Sequence, residues 1–418
     1  MAYISGNTSE PGRLLIINED TWSIEENRTV SSGDYRINDL DDGKKTVICR
    51  KDDGELEVKG NIDTEMENYQ VFSFGLNNFG QLGLNDIINR STLTQVGSDT
   101  NWKSVSGCVY HTLALRTNGT LWGCGANDSG QLGLNDTVDR STLTQIGNED
   151  NWKSVSGGIN SFHTLAIKTD GTLWGCGANS YGQLGLNDTI RRSTFTRIGT
   201  DSNWKSVSGG GYHTIALKNN GTLWGCGYNV QGQLGLNNTT NRSTLIQIGT
   251  DTDWKSVNCG STYNLAIKTN GTLWACGENV IGQLGLNNTA NRSTFTKVGT
   301  ATDWKSINVG NTHTLVLKTD GTLWGCGHNT SGQLGQNNTT NRSTLIQVGT
   351  ATDWKSISAG GSHTLAIKTN GTLWACGYNI AGQLGLNDRV DRSTLTQIGT
   401  DSDWKGVYGC TEYTLALK

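Results

Sequence analysis

Five histidines recur at one position of a repeated segment and are the first candidates for chemistry, because imidazole is a common metal ligand and general base. The column consists of His111, His163, His213, His313 and His363, and tyrosine takes the position at Tyr263 and Tyr413. A metal site needs ligands that converge on one point and neighbours that orient them. Each copy of the segment instead carries one such residue beside a glycine turn. We therefore interpret the column as a structural one that hydrogen-bonds within the fold, with a metal site as the alternative.

Seven arginines recur in the same way, and each is followed by Ser-Thr. They are Arg90, Arg140, Arg192, Arg242, Arg292, Arg342 and Arg392. An anion site is one interpretation. A guanidinium group has five donors and can satisfy several carbonyls, so we predict that each arginine ties its copy to the next. The preceding loops, such as Asn135-Asp136, lack the clustered carboxylates that calcium prefers.

The remaining motifs predict no enzyme, no cofactor and no metal. The glycines between Gly175 and Gly182 have the wrong spacing for a dinucleotide loop. The sequence has no Walker loop, nucleophile elbow or His-Glu-x-x-His motif. It also has no C-x-x-C pair, and one repeat position holds Cys124, Cys176, Cys226, Cys276, Cys326 and Cys376. We expect these cysteines to be buried, unpaired and apolar in character.

All these residues belong to a 50-residue repeat that occupies most of the chain. A Trp-Lys pair opens the copies at Trp102, Trp152, Trp204, Trp254, Trp304, Trp354 and Trp404. Within a copy, His-Thr-Leu-Ala-Leu-Lys and Leu-Trp-Gly-Cys-Gly flank an Asn-Gly turn, which indicates a β-hairpin. Trp-Lys-Ser-Val and Ser-Thr-Leu-Thr-Gln-Ile supply two more strands. The repeat therefore predicts an all-β fold built from four-stranded units.

The two ends of the repeat region complement each other. Residues 69–75 correspond to the third strand of a copy, with Phe72 in the tryptophan position, and residues 413–418 correspond to the second strand. Residues 69–418 equal seven repeats of 50 residues. We therefore predict a seven-bladed β-propeller, closed by pairing of its N-terminal and C-terminal strands, because a ring leaves no open sheet edge at its ends.

The repeat resembles that of the regulator of chromosome condensation family, whose fold is a seven-bladed propeller. The matching elements are Val-x-x-Gly-x-x-His-Thr at residues 207–214, the hairpin turn, and Gly-x-Asn-x-x-Gly-Gln-Leu-Gly at residues 227–235. The Leu-Trp strand is similar to the bacterial version of the repeat, although cysteine replaces an aromatic residue and leucine or phenylalanine replaces a proline. The eponymous member is a nucleotide-exchange factor for a nuclear GTPase and binds nucleosomes. This chain lacks a basic N-terminal tail and a long blade insertion, which disfavours that activity.

Residues 1–66 lie outside the repeat and predict a small β-sandwich, while residues 67–418 form the propeller. Strand-like runs alternate with turn signals such as Asp53-Gly54, and Trp22 is the expected core aromatic residue. Residues 12–49 resemble the carboxypeptidase-regulatory-like β-sandwich that occurs in tail and virion proteins of bacterial viruses. This resemblance implies an anchor domain that binds other virion proteins.

Candidate binding residues lie where the copies differ, because shared packing fixes the framework positions and exposed loops vary. They are Phe79, Tyr110, Phe162, Tyr181, Tyr212, Tyr228, Ile281, His328 and Tyr378. Exposed tyrosine and phenylalanine suit contacts with a protein or a surface glycan. Neutral variation at solvent-exposed positions is the alternative.

Composition excludes further classes. The net charge is −4 and no basic run occurs, so nucleic acid is not the expected partner. No 18-residue apolar run predicts a membrane span, and the first six residues do not resemble a signal peptide. We therefore predict a non-enzymatic binding or structural module, made in the host cytoplasm and carried on a phage virion as a tail or capsid appendage. A bacterial cytoplasmic protein–protein interaction propeller is the alternative, and a guanine nucleotide exchange factor for a small GTPase is the third possibility.

Overall fold

The computed structural model describes residues 68–418 throughout and six strands that precede them, and the chain divides into two compact units, Met1–Asn68 and Tyr69–Lys418. The strands of the first unit are β1 (Ala2–Thr8), β2 (Gly12–Asn18), β3 (Ser23–Val30), β4 (Gly33–Leu40), β5 (Lys45–Lys51) and β6 (Leu56–Ile62). β1 pairs with β4, and the others form an antiparallel sheet in the order β3-β2-β5-β6. The predicted packing of these strands into a sandwich, with Trp22 in its core, lies outside the described residues.

The second unit opens with β7 (Val71–Gly75) and β8 (Arg90–Gln95). Blade 1 consists of β9 (Trp102–Gly107), β10 (His111–Arg116), β11 (Leu121–Gly125) and β12 (Arg140–Gln145). Blade 2 consists of β13 (Trp152–Gly157), β14 (His163–Lys168), β15 (Leu173–Gly177) and β16 (Arg192–Arg197). Blade 3 consists of β17 (Trp204–Gly209), β18 (His213–Lys218), β19 (Leu223–Gly227) and β20 (Arg242–Ile248). Blade 4 consists of β21 (Trp254–Cys259), β22 (Tyr263–Lys268), β23 (Leu273–Gly277) and β24 (Arg292–Lys297). Blade 5 consists of β25 (Trp304–Val309), β26 (His313–Lys318), β27 (Leu323–Gly327) and β28 (Arg342–Gln347). Blade 6 consists of β29 (Trp354–Ala359), β30 (His363–Lys368), β31 (Leu373–Gly377) and β32 (Arg392–Gln397). The last strands are β33 (Gly406–Gly409) and β34 (Tyr413–Leu417).

Blade 7 closes the ring, and it is built from both ends of the unit in the order β33-β34-β7-β8. β34 pairs antiparallel with β7, so that Tyr413 lies opposite Gly75 and Leu417 lies opposite Val71. Phe72 lies opposite Ala416, as Trp122 lies opposite Ala114 in blade 1. The predicted all-β, seven-bladed propeller, closed by pairing of its terminal strands, is therefore confirmed.

Each blade is an antiparallel meander whose first strand is innermost. First strands of adjacent blades are joined directly, for example by the Gly157 N–H donating to Ser106 Oγ at 2.9 Å and the Val309 N–H donating to Asn258 Oδ1 at 3.0 Å. The second and third strands are buried almost completely because neighbouring blades cover both of their faces. The fourth strands alternate partly buried and exposed residues, as expected at an outer rim.

The hairpin between the second and third strands forms for local reasons. Gly119 has φ of 81°, a region that glycine enters without steric penalty. The Asn118 side chain accepts hydrogen bonds from the Thr120 N–H at 3.1 Å and from Thr120 Oγ1 at 2.8 Å. A Cβ on Gly119 would lie 1.8 Å from the carbonyl oxygen of Asp150, so the turn also packs against the link to the next blade.

The meander gives the propeller two different faces. The loops between first and second strands and between third and fourth strands share one face, which we name the loop face. The hairpin turns and the links between blades share the other, the turn face. Within the described part of the chain, no helix is long and apolar enough to span a membrane.

Candidate functional site

Three of the predicted binding residues meet on the loop face at blades 7, 1 and 2. The ring centroids of Phe79 and Tyr110 are 4.8 Å apart, and those of Tyr110 and Phe162 are 6.4 Å apart. Phe79 is 38% exposed, while the other two rings are partly buried. We name these three residues the blade-1 cluster.

Three further predicted residues form a second cluster at blades 2 and 3, the blade-3 cluster. The ring of Tyr181 lies 5.3 Å from that of Tyr212 and 5.0 Å from that of Tyr228, and the last two are 6.5 Å apart. All three pairs are edge-to-face, the geometry that the aromatic quadrupole favours. Tyr181 and Tyr212 are 39% and 40% exposed, so the cluster presents aromatic surface to solvent.

The repeat explains why these residues meet. Tyr181 lies in the third-to-fourth loop of blade 2, and its N–H donates to Gln183 Oε1 at 3.0 Å. Tyr228 begins the corresponding loop of blade 3, where its N–H donates to the Tyr212 carbonyl at 2.8 Å. A third-to-fourth loop therefore faces the first-to-second loop of the next blade, which is 31 residues further along the chain in the pairs Phe79/Tyr110 and Tyr181/Tyr212.

The structure does not bring the other three predicted residues into these clusters. Ile281, His328 and Tyr378 lie in the loops of blades 4, 5 and 6 and are partly buried. His328 Nδ1 accepts a hydrogen bond from Gln333 Nε2 at 2.8 Å, and burial lowers the pKa of its imidazole. In this half of the loop face, the position before the histidine column is polar: Thr262, Thr312 and Ser362. At this position the loop face is therefore aromatic in blades 1 to 3 and polar in blades 4 to 6.

The histidine column lies buried between blades and has a fixed tautomer. His111 Nε2 is 3.0 Å from Thr164 Oγ1, which itself donates to the Gln131 carbonyl at 2.7 Å. Because the threonine hydrogen is already used, Nε2 must be the donor. The pairing repeats at His163, His313 and His363, and His213 Nε2 donates to Asn264 Oδ1 at 2.8 Å.

Burial sets the charge of the column. It lowers the pKa of His111, His163, His313 and His363 to about 3 and that of His213 to about 4. The imidazoles are therefore neutral at neutral pH. Where tyrosine replaces histidine, Tyr263 donates to the His313 carbonyl at 2.6 Å and Tyr413 to the His111 carbonyl at 2.5 Å. No group of three or more metal-ligating side chains occurs among the residues that the structure describes.

Five of the seven column arginines bond within their own loops and not to the next blade, contrary to the prediction. Arg140 donates within its own loop, to Asp136 Oδ2 at 2.6 Å and to the Val138 carbonyl at 2.6 Å. The same pattern holds at Arg90, Arg192 and Arg392. The reason is an aspartate four residues earlier, whose pKa is lowered by the backbone N–H two residues on and by the arginine. Backbone bonds join the blades instead, such as the Asn135 N–H to the Ser193 carbonyl at 2.8 Å.

The tryptophans of the Trp-Lys pairs form a cation-π column that sequence reasoning missed. All seven are buried, with 1–5% exposure, and in blades 1 to 6 each meets the tryptophan of the third strand edge-on. In blade 3, Lys218 Nζ lies 4.9 Å from the Trp204 ring centroid and 4.1 Å from that of Trp224. Such contacts stabilise by about 0.5–2 kcal/mol each. This contact could have been predicted from pairing the two strands, because Lys218 lies opposite Trp204 in the strand register.

The repeated cysteines lie in the core. All six are buried with free thiols, and Cys124 Sγ lies 3.6 Å from the Gln81 carbonyl. Burial raises the pKa of Cys124 to about 12. Such thiols are not nucleophiles at neutral pH, because the thiolate is the reactive form.

Comparison with known proteins identifies the repeat. The model of the regulator of chromosome condensation (RCC1) repeat matches residues 70–115, 118–167, 170–217, 220–267, 270–317 and 320–367, and a second model of that repeat matches six segments between residues 102 and 383. No curated protein sequence matches the chain.

Three solved structures share the fold. Human WBSCR16 has 20% identity and a TM-score of 0.75, with coverage of 84% of this chain and 98% of that one. Yeast RCC1 (Prp20), solved with Kap60 bound to it, has 19% identity and a TM-score of 0.77, with 84% and 90% coverage. Saccharomyces cerevisiae Prp20p, described with its binding properties to Gsp1p and histones, has 19% identity and a TM-score of 0.76, with 84% and 92% coverage.

Proposed function

This chain belongs to the regulator of chromosome condensation (RCC1) repeat family, and from that premise we propose that it is a non-enzymatic module that binds a protein through the aromatic half of its loop face. The observation that carries the proposal is the pair of aromatic clusters on consecutive blades. Both are built at positions where the copies differ, so packing within the blade does not require their aromatic character.

The blade-3 cluster has the properties of a protein-binding hot spot. Tyr181 and Tyr212 are each about two-fifths exposed, yet their rings already contact each other and Tyr228. Rings held in this way lose little conformational entropy on binding, and tyrosine is enriched at the centres of protein interfaces. The hydroxyl groups supply hydrogen bonds at the edge of an apolar contact.

The asymmetry of the loop face supports a partner bound to one side of the ring. Blades 4 to 6 carry threonine or serine where blades 1 to 3 carry tyrosine or phenylalanine. In blade 4, Thr262 Oγ1 donates to Glu278 Oε2 at 2.5 Å, so this side offers an ion-bearing polar surface. A partner with an aromatic or apolar contact surface is therefore expected to bind over the two aromatic clusters.

The experiment compares proteins captured by the wild-type chain with those captured by Tyr181→Ala/Tyr212→Ala/Tyr228→Ala. Tyr378→Ala is the matched control, because Tyr378 occupies the repeat position of Tyr228 but lies outside both clusters. We expect one set of host proteins to be retained by wild type and control and lost by the triple variant. Identical sets for all three chains would refute a role for the aromatic half, and retention of glycans in place of proteins would refute the partner class.

We place this module on a phage virion, where residues 1–66 would anchor it to other virion proteins. This part of the proposal is supported by the resemblance of residues 12–49 to sandwich domains of phage tail and virion proteins. Mass spectrometry of purified particles tests it. Stoichiometric peptides from residues 1–66 and from the blades are expected. Peptides found only in the cell fraction would instead favour a bacterial interaction protein that remains in the cytoplasm.

Guanine nucleotide exchange is less well supported. The third-to-fourth loops of the propeller all have the same length, from residues 76–89 in blade 7 to residues 378–391 in blade 6, so none of these loops protrudes as a specialised catalytic element. The likeness to yeast RCC1 at 19% identity concerns the fold alone. Release of labelled GDP from small GTPases of the host, measured with and without the chain, is the direct test.

A further inference from the structure

Two cavities of the same design open between blades on the outer side of the propeller, away from the loop-face clusters. One lies between blades 4 and 5 and has a volume of about 480 Å³. The other lies between blades 2 and 3 and has a volume of about 460 Å³. Both volumes fall within the range of small-molecule sites, about 300–1,000 Å³.

Apolar and aromatic side chains form the walls of the cavity between blades 4 and 5. Trp304 and the partly exposed Trp324 lie on one side, with Leu345, Leu286 and Val298 around them. The equivalent residues of the second cavity are Trp204, Trp224, Leu245, Leu186 and Ile198. Tryptophan walls of this kind suit the apolar face of a small ring.

The size of one fourth-strand residue affects the space beside the tryptophan. In blades 2 and 4 the fourth strand carries phenylalanine, and Phe295 packs on Trp254 with ring centroids 5.1 Å apart, as Phe195 packs on its own blade's tryptophan at 4.9 Å. The other five blades have leucine at this position, and in blades 3 and 5 it is Leu245 and Leu345. A leucine is smaller than a phenylalanine ring, so the space beside the tryptophan stays open.

Each cavity is lined by one basic residue at the end of a fourth strand. Lys297 lines one and Arg197 lines the other, each at the end of the preceding fourth strand. The other five blades have glutamine at this position: Gln95, Gln145, Gln247, Gln347 and Gln397. Each of the two basic residues of this position therefore lies at one of the two cavities.

The larger cavity has a lysine with fewer ion-pair partners than its equivalent in blade 4. Lys318 Nζ lines it and pairs with Asp303 Oδ2 at 3.2 Å. In blade 4 the equivalent Lys268 pairs with both Asp251 and Asp253 at 2.8 and 2.9 Å, but Ala301 replaces the first of these aspartates in blade 5. Lys318 therefore pairs with one carboxylate, where Lys268 pairs with two.

We propose that these two cavities bind an acidic sugar, a ring with one apolar face and one carboxylate. The apolar face would lie against the tryptophan wall, and the carboxylate would pair with Lys297 or Arg197. Thr300 and Thr344, which line the larger cavity, supply hydroxyl groups for the sugar hydroxyls. The proposal is independent of the aromatic clusters, because none of their residues lines either cavity.

Glucuronate is the probe, and NMR titration of the tryptophan indole N–H signals is the measurement. We expect saturable shifts at Trp304 and Trp324 and at the equivalent pair in blade 3. Leu345→Phe should abolish only the first pair of shifts and Leu245→Phe only the second. Both variants copy a residue that blades 2 and 4 already hold, so they are expected to fold.

The controls separate the site from nonspecific effects. Leu395→Phe makes the same change in blade 6, which follows a glutamine, and should leave all shifts intact. Lys297→Gln should weaken glucuronate at the larger cavity at least tenfold without altering the other. Absence of saturable shifts, or shifts that survive both leucine substitutions, would overturn the proposal. Binding of benzoate but not of glucuronate would overturn the sugar class, and equal binding of glucose would overturn the role of the basic residue.

Discussion

Replacing Leu415 with alanine tests whether the two ends of the propeller carry as much of its stability as the middle. Leu415 lies in β34, is 1% exposed, and packs against Val71, Leu82 and Trp102. Truncating such a leucine costs about 2–5 kcal/mol, from the lost transfer energy and the cavity left behind. In a closed ring this strand is an interior strand, so the full cost is expected.

The matched variant is Leu265→Ala. Leu265 lies in β22, is also fully buried, and stands two residues after Tyr263 just as Leu415 stands two residues after Tyr413. A ring predicts that the two substitutions lower the free energy of unfolding by amounts within about 1 kcal/mol of each other. An array with open ends predicts a smaller loss at Leu415, because an end strand already unfolds locally.

Urea unfolding followed by tryptophan fluorescence provides the comparison, with one transition for the whole unit as the condition for converting midpoints to free energies. Amide hydrogen exchange in β34 and β7 supplies a second readout that does not depend on that condition. A loss below about 1 kcal/mol for Leu415→Ala, beside a loss of about 2–5 kcal/mol for Leu265→Ala, would refute the closure argument.

Three further outcomes follow from the buried network. Because burial lowers the pKa of the five column histidines to about 3–4 from about 6.5, stability is complete above pH 6.5 and falls as the pH drops, by about 2 kcal/mol per histidine at pH 5. The urea midpoint should therefore fall when the pH is lowered from 7 to 5, and it should fall less in His313→Tyr, which has one buried histidine fewer. A midpoint that does not change with pH would contradict neutral histidines. Asp136→Asn breaks the half-exposed pair with Arg140 and should cost less than about 1 kcal/mol, measured by thermal melting, since three blades already have asparagine there. Tyr413→Phe removes one of the two donors to the His111 carbonyl, which keeps the Cys108 N–H, and should cost about 0.5–1.5 kcal/mol, whereas an unchanged melting curve would show that the hydroxyl is not needed.

The fold was readable from the sequence because its determinants are local and repeated seven times. The Asn-Gly turn fixes the hairpin, the alternation of Leu and Ala or Ile marks a strand covered on both faces, and the spacing between copies excludes other strand registers. Closure was equally readable, since residues 69–75 and 413–418 supply complementary halves of one blade. These inferences need no knowledge of which blades touch.

For the arginine column, the sequence contained the correct partner, but the prediction chose a different one. The sequence predicts a contact between Arg140 and the neighbouring blade, because a guanidinium group suits carbonyls. The structure instead pairs Arg140 with Asp136, four residues earlier, at 2.6 Å. The aspartate was visible in four of the seven copies, at Asp86, Asp136, Asp188 and Asp388. Its coincidence with arginine at a fixed spacing was sufficient to predict a loop-internal ion pair.

The candidate sites depended on contacts between blades, which no single repeat contains. Tyr181 and Tyr212 were both identified as variable positions, but their ring contact requires the relation between one blade's outer loop and the next blade's inner loop. The cavity beside Trp304 lies between two blades, because Trp304 and Leu345 come from one blade and Lys297 comes from the preceding one. Once the blade geometry is known, the same comparison between copies becomes informative.

A ring of near-identical blades provides its own controls, and this property gives the departures from the repeat their weight. The histidine, tryptophan and lysine contacts recur in nearly every blade and are buried, so they account for stability without distinguishing one blade from another. Aromatic residues at Tyr181 and Tyr212, and basic residues at Arg197 and Lys297, are unnecessary for that scaffold because other blades fold with serine, threonine or glutamine in their place. Their clustering on consecutive blades for the first set, and their position at open cavities for the second, are the features that the proposed binding roles would explain. The two roles can fail separately.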